Sequence, residues 1–282
     1  MRSSGTRIAE LLRAAEHTLK GMDTARLDAE VLLDDLLAAG REWLYAHPEH
    51  EVPAAKSRDF YTLIHRRREG FPVAYLTGHR EFWSLDLLVN TNTLIPRPET
   101  EGVVEVALER IRGLDAASML DLGTGSGAIA LALAHERPDC RIVASDISAD
   151  ALAVARQNAS RHGIRGIEFV QSDWFSGLAG RRFDLIVCNP PYVDTRDHAL
   201  IDGEIRFEPR LALDGGHAGM QAITTVVSSA THHLAARGSL VLEHGADQGA
   251  AVRRLLAHCG FAAIETLRDA AGLDRTSHGR WE

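Results

Sequence analysis

Apolar residues in the first part of the chain return every three or four positions: Ile8, Leu11, Leu12 and Ala15, then Leu27, Val31, Leu32 and Leu36. That is the spacing of one helix face. It predicts helices between Ile8 and about Leu44, with Asp23 or Thr24 capping the second, and a further helix over Ala54–Glu69. From Phe71 to Thr100 the period shortens to alternating runs of Tyr, Phe, Trp, Leu and Val around Asn90 and Asn92, closed by the stiff Ile95-Pro-Arg-Pro98. This predicts a β-hairpin connector. After a helix beyond Glu101, apolar strands alternate with helices: strand Ser118–Leu122, helix from about Ala128, strand Arg141–Ser145, helix Ala149–His162, strands Ile167–Ser172 and Phe183–Cys188. The remainder reads as a helix near Gln221–Ala236, strand Ser239–Glu243, helix Gln248–His258 and a strand pair around Ala262–Leu267 and Thr276–Trp281. Strands separated by helices mean an α/β protein with a parallel, doubly wound sheet. The expected domains are residues 1–70 (helical), 71–102 (hairpin linker) and 103–282 (Rossmann-like sheet).

Composition adds exclusions. The formal net charge of the 282 residues is −8, which disfavours a partner held by phosphate neutralisation, so no direct nucleic-acid binding is expected. The basic segment Lys56, Arg58, His65 and Arg66–Arg68 reads as a solvated helix face. Cys140, Cys188 and Cys259 are odd in number and lack paired spacing, as in a reduced, cytoplasmic protein. The N-terminal stretch beginning at Met1 has charges throughout its apolar positions, so neither secretion nor membrane insertion is expected. His47-Pro-Glu-His50 and the adjacent His232 and His233 lack the further ligands of a metal site, and no metal is expected. The protein is expected to be a monomer.

The chemistry gathers at strand ends. Met119-Leu-Asp-Leu-Gly-Thr-Gly-Ser-Gly127 follows a strand and opens a helix. Gly123, Gly125 and Gly127 stand at positions one, three and five, whereas a dinucleotide fingerprint has one, three and six. No Walker lysine is present. With Thr124 and Ser126 these glycines are candidate cofactor contacts. Asp146 ends the second strand of the alternation, where a carboxylate can accept both ribose hydroxyls, although a helix-capping role is open to it as well. Asp173 and Trp174 end the next strand, where an adenine edge and face would lie, and Trp174 could equally be core. A nucleoside bound through ribose and base, without a pyrophosphate anchor, points to S-adenosylmethionine, with S-adenosylhomocysteine as product.

The stretch FDLIVCNPPY ends a buried strand on Asn189, Pro190, Pro191 and Tyr192. A planar NH2 acceptor has a delocalised, weakly nucleophilic lone pair and must be aimed. The Asn189 side-chain carbonyl and the Pro190 backbone carbonyl can each accept one N–H, favouring the charge that grows on nitrogen. Pro190 and Pro191 hold φ near about −65° and carry no competing N–H. The ring of Tyr192 could lie against the flat amide or base. Asn189, Pro190 and Tyr192 are therefore the expected catalytic residues, with Pro191 completing the substrate contact and Asn189 also facing the cofactor.

The chain from about Phe71 onward resembles the protein-(glutamine-N5) methyltransferases that modify peptide chain release factors, the HemK type. The resemblance rests on Pro72-Val-Ala-Tyr-Leu-Thr-Gly78, Arg80-Glu-Phe-Trp83, Leu94-Ile-Pro-Arg-Pro-Glu-Thr-Glu101, Asp121–Gly127, Ser172-Asp-Trp-Phe175, Asn189–Tyr192, Phe207-Glu-Pro-Arg-Leu-Ala-Leu213 and Ala271-Gly-Leu-Asp-Arg275. It implies a class I S-adenosylmethionine-dependent methyltransferase domain with a seven-stranded sheet, preceded by a helical domain that helps grip the release factor. The implied acceptor is the glutamine of a Gly-Gly-Gln loop. Small departures are Cys188 where Ser is commoner, Ser84 where Gly is common, and Ala218 where an acidic residue is usual. Two alternatives stand beside this reading: methylation of an exocyclic amine on an unstacked nucleic-acid base, and an inactive binding or assembly factor that uses the fold as scaffold.

Overall fold

The computed structural model describes residues 5–282; the first four residues of the N-terminal stretch lie outside it. The chain forms two compact units, residues 5–78 with Gly203–Phe207, and residues 79–202 with 208–282.

In the first unit, β1 (Thr6–Arg7) pairs antiparallel with β2 (Glu51–Val52) beside α1 (Ile8–Thr18), α2 (Ala25–Leu37), α3 (Arg41–Ala46), α4 (Ala54–Arg68) and α5 (Val73–Thr77). Ile8, Leu11 and Leu12 of α1, spaced at three and four, meet Leu32 of α2 and Phe60 and Ile64 of α4 in one buried cluster, whereas Leu27, expected on the same face as Leu32, is exposed. Thr24 stands at the N-cap of α2 but makes no side-chain cap bond. Its hydroxyl donates instead to the carboxylate of Asp28, 3.0 Å away. Asp28 is buried and also accepts from Arg67 Nε at 2.6 Å. Arg67 is therefore not part of a solvated face: it is 4% exposed and its guanidinium also reaches the Phe71 carbonyl and Glu204. A buried cation persists only with such a full set of partners. Arg66 lies over the Phe71 ring.

The second unit opens with the hairpin of β3 (His79–Phe82) and β4 (Leu85–Leu88). Its two-residue turn, Trp83-Ser84, has φ of 52° and 59°, the left-handed pair that matches strand twist and that glycine adopts at least cost. The hairpin is docked by Asn158, whose side chain accepts from Leu88 N at 2.7 Å and donates to Leu88 O at 3.0 Å. The chain continues through α6 (Glu101–Arg110), β5 (Ser118–Leu122), α7 (Ala128–Glu136), β6 (Arg141–Asp146), α8 (Ala149–Arg161), β7 (Ile167–Gln171), β8 (Phe183–Cys188), α9 (Gln221–Ala230), β9 (Leu234–Glu243), α10 (Gly249–His258), β10 (Phe261–Arg268) and β11 (Asp274–Trp281).

The seven-stranded sheet has the order β10-β11-β9-β8-β5-β6-β7. Six strands run in one direction, five of them in adjacent parallel pairs, whereas β11 runs against them and is antiparallel to both its neighbours. Only a short turn, Asp269–Leu273, joins β10 to β11, and a connection that short permits no parallel crossover. Met119, Leu185 and Val187 face one core cluster, with Val103 and Leu133 of the helices; Leu120, Leu122, Ile186 and Cys188 face the other, with Ile223 and Val252. Burial on both faces is why these strands read as continuous apolar runs. Helix α9 stops at Ala230, short of the expected Ala236, and β9 begins at Leu234. The His233 carbonyl accepts from Phe183 N at 2.8 Å and Leu234 pairs with Phe183, so the ladder captures residues that local pattern assigns to the helix.

Strand order reverses between β5 and β8, with Leu122 paired to Cys188. The next residues, Gly123 and Asn189, therefore leave the sheet side by side at the switch point, where open α/β sheets bind ligands.

Candidate active site

The glycine loop is tied to the neighbouring strand end. Gly123 N and Thr124 N both donate to the Ser145 carbonyl, at 2.8 and 2.9 Å, and Gly125 N donates to Asp146 Oδ2 at 2.9 Å. Gly123 and Gly125 have φ of 78° and 56°, and a Cβ built on either meets nothing within 4 Å. The backbone is thus bare toward open space. Gly127 differs. Its Cβ would lie 3.1 Å from Leu131 Cδ1 and 3.2 Å from Ala155 Cβ, so this glycine lets α7 start close against α8. Under the loop, Asp121 Oδ2 accepts from the Thr124 hydroxyl at 2.6 Å and from Ala130 N at 3.1 Å, while Oδ1 is buried without a partner among the described residues. Burial pushes this carboxyl up to about 7, against the pull of those two bonds.

Asp146, at the end of β6, also accepts from Ser148 N at 2.9 Å. Helix capping falls to Ser148, whose hydroxyl accepts from Ala151 N. Asp146 is left to brace the loop with lone pairs to spare, its carboxyl raised by burial and lowered by the backbone N–H groups. Beyond β7, Ser172 Oγ donates to the Trp174 carbonyl at 2.6 Å and accepts from Gly177 N at 2.9 Å. This holds Trp174 at φ 47°. Asp173 is exposed; Trp174 is half-buried, packing partly against the core and partly facing the cavity described below.

Asn189 Nδ2 donates to Thr100 Oγ1 at 3.1 Å, Thr100 donates to Glu243 Oε2 at 2.6 Å, and the Tyr192 hydroxyl donates to Glu243 Oε1 at 3.0 Å. Glu243 ends β9 and is fully buried. Burial raises its carboxyl, and the two hydroxyl donors and Arg275 oppose this. Burial beside Glu243 raises the Tyr192 phenol further above its ordinary range, so it remains a donor. Behind Tyr192, Val193 pairs with Asp214, and Gln248 Nε2 donates to the Tyr192 carbonyl at 3.0 Å. Gly219 passes so close that a Cβ there would overlap that carbonyl. Among the described residues no donor meets the Pro190 carbonyl.

These groups surround a cavity of about 640 Å³, within the ~300–1,000 Å³ usual for small-molecule sites. Gly123, Thr124, Gly125, Ser126, Asp146, Asp173, Trp174, Asn189, Pro190 and Pro191 line it. Gly127 and Tyr192 are not in its wall. Gly127 packs helices, and the Tyr192 ring, expected against the acceptor, packs against the core with its hydroxyl held by Glu243. Thr100 and Arg97 do line the cavity, and Arg97 is paired with buried Glu208, which also accepts from Ile95 N at 3.0 Å. Sequence reasoning assigned no role to Thr100, Glu243 or Glu208. Glu243 carried a signal all the same: like Asp146 and Asn189, it is a polar residue closing an apolar strand.

The bare backbone at Gly123 and Gly125, the spare lone pairs of Asp146 and the half-buried Trp174 face suit a nucleoside cofactor. Among the described residues no helix is long and apolar enough to cross a membrane. Residues 104–205 match the Methyltransferase small domain and residues 10–78 the PrmC N-terminal domain. A methyltransferase from Pyrococcus furiosus shares the fold, with a TM-score of 0.51 at 17% identity over 70% of this chain and 88% of its own. A release factor glutamine methyltransferase from Salmonella typhimurium is 46% identical over 96% of this chain and 97% of its own length. One from Pseudomonas aeruginosa is 48% identical over 98% and 99%. With its class I methyltransferase fold and near-complete coverage by such relatives, the chain belongs to the release factor glutamine methyltransferase family.

Proposed function

We propose that the protein methylates the side-chain amide nitrogen of the glutamine in the Gly-Gly-Gln motif of peptide chain release factors, using S-adenosylmethionine, in the cytoplasm where those factors act. The observation that carries this reading is the pair of carbonyl acceptors, Asn189 Oδ1 and Pro190 O, beside the glycine loop at the switch point. Family membership supports it.

S-adenosylmethionine supplies a methyl group on a sulfonium, electrophilic without metal assistance. The Gly123–Ser126 backbone would cradle the cofactor, Asp146 would accept from its ribose hydroxyls, and Asp173 and Trp174 would meet its base. Asn189 Oδ1 and the Pro190 carbonyl each accept one N–H of the incoming carboxamide, which fixes its plane and leaves the nitrogen lone pair aimed along the line of transfer. The same oxygens favour the positive charge that develops on nitrogen. Pro190 and Pro191 offer no N–H to compete for those oxygens. Tyr192 supports this wall from behind through Glu243. The methylated nitrogen loses its proton to solvent, so Asn189 orients without ionising.

The test is to supply methyl-labelled cofactor together with a release factor, its Gln-to-Ala version in the Gly-Gly-Gln motif, or duplex DNA. Label in the first alone is expected. Label in the Gln-to-Ala version would move the acceptor elsewhere on the protein, and label in DNA would establish the base-amine alternative.

A further inference from the structure

We propose that Thr100 and Glu243 are positioning residues for this methyl transfer: the buried carboxylate sets the direction of a hydrogen-bond chain that turns the Asn189 side-chain oxygen into the cavity. The inference rests on the reading given above and adds two residues to it.

The two hydroxyl donors and Arg275 favour the ionised form of Glu243 against burial, and an ionised carboxylate accepts only. Thr100 Oγ1 lies 2.6 Å from Glu243 Oε2, so the single Thr100 hydrogen must point at Glu243. Only lone pairs then remain on the Thr100 oxygen, and the Asn189 atom 3.1 Å away must be a donor, Nδ2. Because the amide is planar, seating Nδ2 on Thr100 directs Oδ1 away from it, toward the cavity that Asn189 lines. The second carboxylate oxygen is held by the Tyr192 hydroxyl at 3.0 Å, which restrains rotation of the carboxylate. Glu243 is 0% and Thr100 4% exposed, so solvent is a poor substitute for either partner. The reversed chain would present Asn189 NH2 to the cavity, and two donors would then face each other where the acceptor's N–H must dock. Glu243→Gln allows that reversal: its NH2 can donate to Thr100, whose hydrogen then turns to Asn189. If instead the new NH2 faces Tyr192, the phenol turns its hydrogen away and accepts from it, and the Thr100 hydroxyl keeps its direction.

The decisive experiment compares full-length Thr100→Val, Thr100→Ser and Glu243→Gln in kcat, KM for a release factor, cofactor affinity by calorimetry, and thermal midpoint. Thr100→Val keeps the shape and loses both bonds. Its kcat should fall roughly ten- to a hundredfold, the scale of a misplaced reacting group, with cofactor affinity within about twofold, below the ~1.4 kcal/mol of a tenfold change. Thr100→Ser should restore turnover to within a few-fold, which a purely packing role for the methyl-bearing side chain would not allow. In an Asn189→Asp background, whose two oxygens have no orientation to lose, Thr100→Val should cost little further. Parental kcat in Thr100→Val, a loss confined to cofactor affinity, or Thr100→Ser as slow as Thr100→Val would overturn the inference. If Glu243→Gln fails to fold, the two threonine variants decide. The parental enzyme, assayed alongside, separates this from failure of the methyl-transfer reading, which would show as no glutamine methylation at all.

Discussion

Two neighbouring glycines should fail in opposite ways when each is replaced by alanine. At Gly125 the backbone has φ of 56° and a Cβ would meet nothing within 4 Å. The stability cost is then only that of a left-handed alanine, about 1–2 kcal/mol. The new methyl, however, projects into the space where the cofactor needs close approach to the backbone. Affinity for S-adenosylmethionine should fall about tenfold or more, at least about 1.4 kcal/mol. At Gly127, φ is 88° and the Cβ would sit 3.1 Å from Leu131 Cδ1 and 3.2 Å from Ala155 Cβ. Leu131 lies one turn along α7 and can swing its side-chain end aside, but Ala155 lies in α8, so relief of that contact requires the two helices to part. Overpacking adds about 1–3 kcal/mol to the left-handed penalty, about 2–5 kcal/mol in all. Urea unfolding gives stability and calorimetry gives affinity. Gly127→Ala unfolding at the parental midpoint, or Gly125→Ala binding cofactor with parental affinity, would refute the division of labour drawn from these contacts.

Other expectations follow from the same geometry. Asn189→Ala should leave cofactor affinity within a few-fold and raise the transition-state free energy by about 2–4 kcal/mol, slowing turnover about thirty- to a thousandfold; a parental rate in single-turnover assays would remove Asn189 from the mechanism. Asp146→Ala should damage cofactor affinity first, since it strips the loop brace at Gly125 as well as the ribose acceptor, and unchanged calorimetric affinity would contradict this. Asp121, raised from 3.8 to about 7 in the folded protein, holds a proton there that the unfolded chain has released, so its contribution to stability falls as pH rises between those values. Denaturation of the parent and of Asp121→Asn at pH 4 and pH 8 should show the parent losing stability relative to the variant at the higher pH; a pH-independent difference would sink the assignment.

Much of the fold was legible because burial on both sheet faces writes continuous apolar strands, and Ile8, Leu11, Leu12 and Ala15 write a helix face. Short or competing elements were not. Six-residue α3 spans too few turns for a period to emerge, and the start of β9 at Leu234 is decided by its pairing with Phe183. Arg67 looked like surface charge because its partners, Asp28 and Glu204, are 39 and 137 positions away.

Local sequence determined the strand-loop-helix units, the glycine loop, and the polar residues that close strands at Asp146, Asn189 and Glu243, because periodicity and backbone freedom are properties of neighbouring residues. The tertiary structure decided what those residues do. Parallel pairing of β5 with β8 brings Gly123 beside Asn189 across 66 positions of chain. The chain from Glu243 through Thr100 to Asn189 exists only because β9 and the turn before α6 end at the same place. Hydrogen-bond direction is a property of the assembled network, where a carboxylate with no solvent to turn to leaves its neighbours one way to point.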